Sequence, residues 1–151
     1  MKKLISLFVV LSIFLSLESC TQPDGYIGKW FGSWHLESIL INGETDTLYS
    51  QNPNIMFSFQ GNIFHCLYLE SMEIYGSWTY EGEILTLIAK SLSGGGANQS
   101  QYFNPFPVVM YLPANVEQVE ITVTSITNKT MQWQYIDQNG QLLTYNFRKY
   151  P

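Results

Sequence analysis

The sequence predicts an all-β fold, and three observations support this prediction. Apolar and polar residues alternate with a period of two through most of the chain, as they do in strands with one buried face. Turn residues separate these runs, and two of the turns are Asn-Gly pairs, Asn42-Gly43 and Asn139-Gly140. Asn-Gly between apolar runs is the strongest short signal for a β-hairpin. No window of eleven residues shows a helical period, so we expect antiparallel strands joined mostly by tight turns.

Taken in order, the alternating runs predict nine short strands. Their bounds are Trp30–Ile41, Glu44–Tyr49, Ile55–Gln60, Asn62–Glu70, Glu73–Tyr80, Glu83–Ser91, Val116–Thr127, Thr130–Asp137 and Gln141–Tyr150. A further short edge strand is a candidate within Pro107–Pro113. A meander of this many strands leaves two open edges unless it closes on itself. We therefore predict an up-and-down barrel of eight or nine strands, with a β-sandwich as the alternative.

The N-terminal segment has the pattern of an export signal. Lys2 and Lys3 precede the almost wholly apolar run Leu4–Leu17, which is shorter than the span of about 20 residues that crosses a bilayer. The segment ends in Leu17-Glu18-Ser19-Cys20. This ending resembles the lipobox of bacterial lipoproteins, in which a small residue precedes a cysteine that receives lipid. The resemblance implies lipidation at Cys20.

These features divide the chain into three parts. Residues 1–19 are the signal peptide, residues 20–28 are the lipidated cysteine with a tether, and residues 29–151 are the barrel domain. Without the signal peptide the chain keeps 5 basic and 11 acidic residues, a net charge of about −6. This charge argues against nucleic acid and against electrostatic docking on anionic lipid. We therefore expect contact with the membrane through the lipid anchor only.

The first and last strands carry a family resemblance. The first contains Gly32-Ser33-Trp34, and the last ends in Phe147-Arg148-Lys149. Together with the lipobox, these residues resemble the lipocalin-like lipoproteins of the Bacteroidetes, and the resemblance covers residues 28–150. It implies that Trp34 and Arg148 meet at the closed base of the barrel, with the guanidinium over the indole ring. It also implies a binding or interaction role.

The sequence lacks the residue patterns of common catalytic and metal sites. The only histidines are His35 and His65, whereas a zinc site needs three or four ligands. His65 and Cys66 are neighbours in a strand and point to opposite faces. No Gly-x-Ser-x-Gly motif marks a nucleophile. We therefore expect no catalytic residues, no metal and no cofactor, and we predict that the protein is not an enzyme.

Two hypotheses of function follow from the apolar faces. In the first, the barrel binds a small apolar ligand, and the long loop Ser91–Asn115 covers its mouth. In the second, the domain is an interaction module whose middle strands, apolar on both faces, dock on another envelope protein. The alternative to the first hypothesis is that the same aromatic residues fill a closed core. The ligand-lining candidates are Phe57, Phe59, Trp78, Tyr80, Trp133, Tyr135 and Tyr145, and the mouth-loop candidates are Tyr102, Phe103 and Phe106.

The residues after Cys20 bear on localisation. The run Thr21-Gln22-Pro23-Asp24 contains a single acid. Surface-exported lipoproteins of the Bacteroidetes, which this chain resembles, typically carry an acidic cluster there. We therefore expect a lipid-anchored protein of the outer membrane that faces the periplasm, with exposure at the cell surface as the alternative.

Overall fold

The structure of the chain is known from a computed structural model. It describes residues 28–51, 54–68, 72–93, 106–113, 116 and 118–150. Cys20, Tyr102 and Phe103 lie outside the described residues, as do the predicted signal peptide and most of the tether. Within the described ranges, none of the helices has the length and hydropathy needed to cross a bilayer.

The described residues form nine strands, one short α-helix and two 3-10 turns. The strands are β1 (Gly32–Ile41), β2 (Glu44–Thr45), β3 (Ile55–Gln60), β4 (Ile63–Tyr68), β5 (Met72–Glu81), β6 (Ile84–Ser93), β7 (Gln118–Ile126), β8 (Thr130–Ile136) and β9 (Leu142–Lys149). Helix α1 spans Thr47–Ser50, and the 3-10 turns span Gly28–Trp30 and Val108–Met110.

The strands form one closed antiparallel sheet. Sequential neighbours pair from β3 to β9, β3 pairs with β1, and β9 pairs back onto β1. Eight strands therefore make the barrel, and the two-residue β2 is an extra strand paired with the end of β1. The prediction of an up-and-down barrel is confirmed, and the sheet is not the sandwich that was the alternative.

The predicted second strand, Glu44–Tyr49, is wrong beyond its first two residues. Strand β2 ends at Thr45, and helix α1 begins directly after Asp46. The Asp46 carboxylate accepts hydrogen bonds from the backbone N–H groups of Leu48 and Tyr49, both at 3.1 Å. Aspartate at this position satisfies N–H groups that the first helical turn leaves unpaired. This cap overrides the alternating pattern of the segment.

The candidate edge strand within Pro107–Pro113 is also wrong. The segment contains the 3-10 turn Val108–Met110, closed by a hydrogen bond from the Met110 N–H to the Pro107 carbonyl at 2.9 Å. Tyr111 follows with φ of 55°, which is incompatible with an extended strand. The chain therefore turns back over the barrel instead of joining the sheet.

The barrel has two different ends. At the base, β1 begins and β9 ends beside the 3-10 turn Gly28–Trp30. At the top lie the Asn42-Gly43 hairpin, helix α1 and residues 106–113. The side chains of alternate residues point into the barrel, and the interior forms one continuous hydrophobic core.

Substitution of Gly76 tests how closely β4, β5 and β6 are packed at this position. A Cβ at this position would lie 2.1 Å from the Ile88 carbonyl oxygen and 2.5 Å from Cε1 of Phe64. We expect Gly76→Ala to lower the free energy of unfolding by about 3 kcal/mol, because the backbone of β6 must move. Gly61→Ala is the control, since its Cβ meets nothing within 4 Å and only its φ of 56° is unfavourable. That control should lose about 1 kcal/mol in urea unfolding, and equal losses would contradict close packing at Gly76.

Candidate functional site

The residues predicted to line a ligand cavity lie in the packed core. Phe57, Phe59, Trp78, Trp133 and Tyr145 are buried, and Tyr80 and Tyr135 are half-buried against them. The rings contact one another: the Trp133 centroid lies 5.1 Å from that of Phe57, and the Phe59 centroid lies 5.0 Å from that of Trp78. These are ordinary distances for packed aromatic pairs. The arrangement favours the alternative in which the aromatic residues fill the barrel.

Trp30 closes the base of the barrel. Its ring lies 5.1 Å from Phe59 and from Trp78, and 5.0 Å from Tyr80, measured between centroids. The Trp34 indole N–H donates to the Trp30 carbonyl at 2.9 Å and holds the 3-10 turn in place. A cavity of about 90 Å³ beside Trp30, Trp78 and Tyr80 has room for a few water molecules. It is too small for an organic ligand of ordinary size.

The segment after the long loop fills the top of the barrel. Phe106 is buried and stacks on Phe64 at 6.4 Å, and Met110 is also buried. The Tyr145 hydroxyl, on the inner face of β9, donates to the Met110 carbonyl at 2.6 Å. Burial raises the pKa of Tyr145, so this donor stays protonated. The predicted mouth-loop residue Phe106 is therefore part of the core.

Helix α1 completes the closure of the top. The Tyr49 hydroxyl is buried and donates to the Leu36 carbonyl of β1. The Tyr111 hydroxyl donates to the Asp46 carboxylate at 3.1 Å, which links residues 106–113 to the helix cap. The two segments over the top are thus joined to each other and to the barrel by hydrogen bonds.

The cation over the Trp34 indole is Lys149 and not the predicted Arg148. The Lys149 Nζ lies 5.1 Å from the ring centroid and donates to the Lys29 carbonyl at 3.2 Å. Burial lowers the pKa of Lys149. Arg148 points outward and pairs with Glu37 at 2.7 Å. Alternation along β9 places neighbours on opposite faces, so only Lys149 can reach Trp34.

An open hollow lies on the outer face of β3, β4 and β5. The strand register places Ser58, His65 and Tyr75 in one row across the three strands, with Gln60 and Ile63 toward the base. Short Ser58 lies between longer side chains and leaves a hollow of about 220 Å³. We call this feature the outer-face hollow; its lining is Ser58, Gln60, Ile63, His65 and Tyr75.

The outer-face hollow carries an unsatisfied polar group. The His65 and Tyr75 rings stack at 4.5 Å with an angle of 12° between their planes. The Nε2 atom of His65 is buried and has no hydrogen-bond partner among the described residues. Buried polar atoms are rarely left unpaired, because each one costs stability. The Tyr75 hydroxyl donates to Glu73 at 2.7 Å, and this bond raises the pKa of Tyr75.

The sequence favoured a core or wall position with satisfied hydrogen bonds for His65, and this prediction is wrong. Ile63, His65 and Leu67 alternate with the buried Phe64 and Cys66 and lie on the outer face of β4. No sequence pattern marked Ser58 or Gln60 as part of a site, because polar residues are common on the solvent-facing side of a strand. Cys66 faces the interior, where burial raises the pKa of its thiol. Among the residues that the structure describes, no three His, Cys, Asp or Glu side chains gather as metal ligands.

Substitution of the two neighbouring cations distinguishes their roles. We expect Lys149→Met to lower the free energy of unfolding by about 1–2 kcal/mol, because it removes the contact with Trp34 and the bond to the Lys29 carbonyl. Arg148→Met is the matched control and should cost less than about 0.5 kcal/mol, since its ion pair is exposed. Urea unfolding measures both values. A larger loss for Arg148→Met would support the contact between Arg148 and Trp34 that the family resemblance implied.

Comparisons by sequence give no assignment for this chain. No family model matches the sequence, and no curated protein matches it.

Two solved structures have a similar fold. One is a lipocalin-like protein from Bacteroides uniformis, with a TM-score of 0.59, 16% identity, and coverage of 82% of this chain and all of the other. The second is an uncharacterized protein from Bacteroides eggerthii, with a TM-score of 0.53 and 19% identity, covering 80% of this chain and 99% of the other. At these identities the similarity concerns the fold. The chain therefore has a lipocalin-like barrel fold, like structures from Bacteroides.

Proposed function

We propose that the protein is a lipid-anchored, non-catalytic interaction module that docks another envelope protein on the outer face of β3–β5. This proposal rests on the contrast between the inside and the outside of the barrel. The described interior of the barrel is occupied by its own aromatic side chains, whereas the outer-face hollow is open. A binding partner therefore finds a preformed recess outside the barrel and not inside it.

The size of the outer-face hollow favours a protein partner over a free small molecule. Its volume of about 220 Å³ is below the roughly 300–1,000 Å³ of clefts that enclose drug-sized ligands. A recess of this size suits one inserted side chain. Anchoring side chains of this kind, seated in pockets at the centre of an interface, contribute most of the binding energy in many complexes.

The surroundings of the hollow indicate the chemistry of the partner. Ile63 is 55% exposed, and the half-buried Met56 and Leu67 extend the apolar surface along β3 and β4. The exposed Gln60 offers one polar contact, because a side-chain amide both donates and accepts hydrogen bonds. The complementary partner is an apolar or aromatic side chain with one polar group, surrounded by a mostly apolar surface.

The N-terminal sequence supports the rest of the proposal. The apolar run Leu4–Leu17 and the lipobox-like ending at Cys20 predict export and lipid attachment. The single acid Asp24 in the tether favours the periplasmic side of the outer membrane. An anchored module of this kind keeps its partner close to the membrane, because the tether confines both molecules to a small volume.

Site-specific photo-crosslinking in living host cells tests the docking face. A photoreactive amino acid is placed at Ile63 beside the hollow, or at Ile136, which is 65% exposed on the opposite side of the barrel. We expect one discrete protein adduct from position 63 and none from position 136. Tyr75→Ala removes one wall of the hollow and should weaken the adduct at least about tenfold if Tyr75 is an anchoring contact.

Circular dichroism and urea unfolding serve as the folding control for these variants. Tyr75 is an exposed residue of the outer face, so its replacement should change stability by less than about 1 kcal/mol. Equal adducts from both positions, or none from position 63, would contradict the proposed docking face.

A further inference from the structure

The basic residues of the domain are gathered at one end of the barrel. Five lysines and arginines follow Cys20 in the sequence, and Lys90 alone lies away from the base. Lys29 belongs to the 3-10 turn, and Lys129 to the turn between β7 and β8. The Lys149 N–H donates to the Lys129 carbonyl at 2.8 Å, and the Lys149 Nζ donates to the Lys29 carbonyl. Arg148 is the fourth basic residue of the base.

The acidic residues are distributed differently, so one end of the barrel is positively charged although the net charge of the domain is negative. At the base, Glu81 ends β5 and Glu83 lies in the turn that leads to β6, and Glu37 is paired with Arg148. The three lysines belong to the side formed by β8, β9 and β1, which is opposite β5 and β6 in the eight-stranded ring. The described acids at the top include Glu44, Asp46 and Asp137.

Two exposed aromatic rings lie beside these lysines. Phe31 is 57% exposed directly after the 3-10 turn, and Tyr150 is 60% exposed directly after β9. The Tyr150 N–H donates to the Ser33 carbonyl at 2.8 Å, so the two rings flank the same edge of the base. Aromatic rings next to lysines are characteristic of surfaces that lie at the interface between membrane and water.

The anchor would hold this end of the barrel near the membrane. Residues 21–27 separate Cys20 from Gly28, where the described chain begins at the base. Eight residue steps reach at most about 29 Å. A barrel whose strands run to ten residues is about 25 Å high once strand tilt is included. Turning the top toward the membrane would therefore require a fully extended tether along the side of the barrel.

We propose that the β8–β9–β1 side of the base is a membrane-docking surface for an anionic phospholipid leaflet. Phe31 and Tyr150 enter the interfacial region, and Lys29, Lys129 and Lys149 contact lipid phosphates. This inference rests on the lipid anchor at Cys20 that the proposed function includes. Since Glu81 and Glu83 are repelled by the leaflet, the barrel tilts, and the outer face of β3–β5 is directed away from the membrane.

Depth-dependent fluorescence quenching tests this orientation. The lipidated chain is labelled at one introduced cysteine and reconstituted in phosphatidylethanolamine–phosphatidylglycerol vesicles that contain a brominated phospholipid. Cys66 is buried and does not compete for the label. The labelled variants are Asn128→Cys at the base beside β8, Asn62→Cys at the base between β3 and β4, and Asn139→Cys at the top. We expect quenching to decrease in the order 128, 62, 139, and equal quenching at positions 128 and 62 would overturn the proposal, because the tether alone brings both closer to the membrane than 139.

Charge reversal shows whether the lysines hold the orientation. Lys29→Glu with Lys129→Glu should lower the ratio of docked to undocked protein at least about tenfold, since each basic residue near an anionic surface contributes roughly fivefold. Lys90→Glu is the matched control and should change the ratio less than about twofold. Phosphatidylcholine vesicles should also abolish the difference between positions 128 and 62, because the tether alone keeps both of these base positions near the membrane. Equal effects of the base and control variants would overturn the proposal.

A separate mass measurement distinguishes failure of the anchor from failure of the surface. The intact mass of the purified chain shows whether Cys20 carries acyl groups. An unmodified Cys20 would contradict the anchor of the proposed function. The same three labels on the unanchored chain, with vesicles in excess, then test the surface alone: stronger quenching at position 128 than at 139 supports it, and equal quenching overturns it.

Discussion

The pairing of β1 with β9 is the interaction on which the rest of the structure depends. It brings the first and last strands of the domain together from Trp34–Lys149 to Ile41–Leu143 and closes the sheet. A closed sheet has no free edges, and an eight-stranded barrel is just wide enough for side chains to fill. The inward residues Trp34, Leu36 and Ile39 of β1 are fully buried in that interior.

Because the interior of the closed barrel is filled, the candidate binding surfaces lie on its outside. Trp30 at the base and residues 106–113 at the top pack onto the same aromatic core. Burying one large apolar side chain contributes about 1.5–3 kcal/mol, so opening an interior pocket would cost several such contributions. The outer-face hollow and the cationic base need no such opening. The two proposed surfaces lie on different sides of the barrel, so docking of one on the membrane would leave the other accessible to a partner.

The sequence predicts the structure well where local alternation determines it. It predicts the structure poorly where contacts between residues far apart in the sequence determine it. The bounds of β3 match the prediction, because each of its residues alternates cleanly between the core and solvent. The cap at Asp46 was missed because its effect depends on two backbone N–H groups that alternation does not describe. Lys149 could have been found, since Tyr145 and Phe147 already marked its face. The cationic base could not, because Lys29 and Lys149 are 120 positions apart in the sequence.

Native mass spectrometry of the protein, with Cys20 changed to Ser and purified from its own host's envelope fraction, tests the filled interior most directly. A barrel filled by its own side chains gives the mass of the polypeptide alone. An additional small apolar mass, absent from a Trp133→Ala variant that is still folded, would contradict the filled core. Such a result would restore the interior as the binding site.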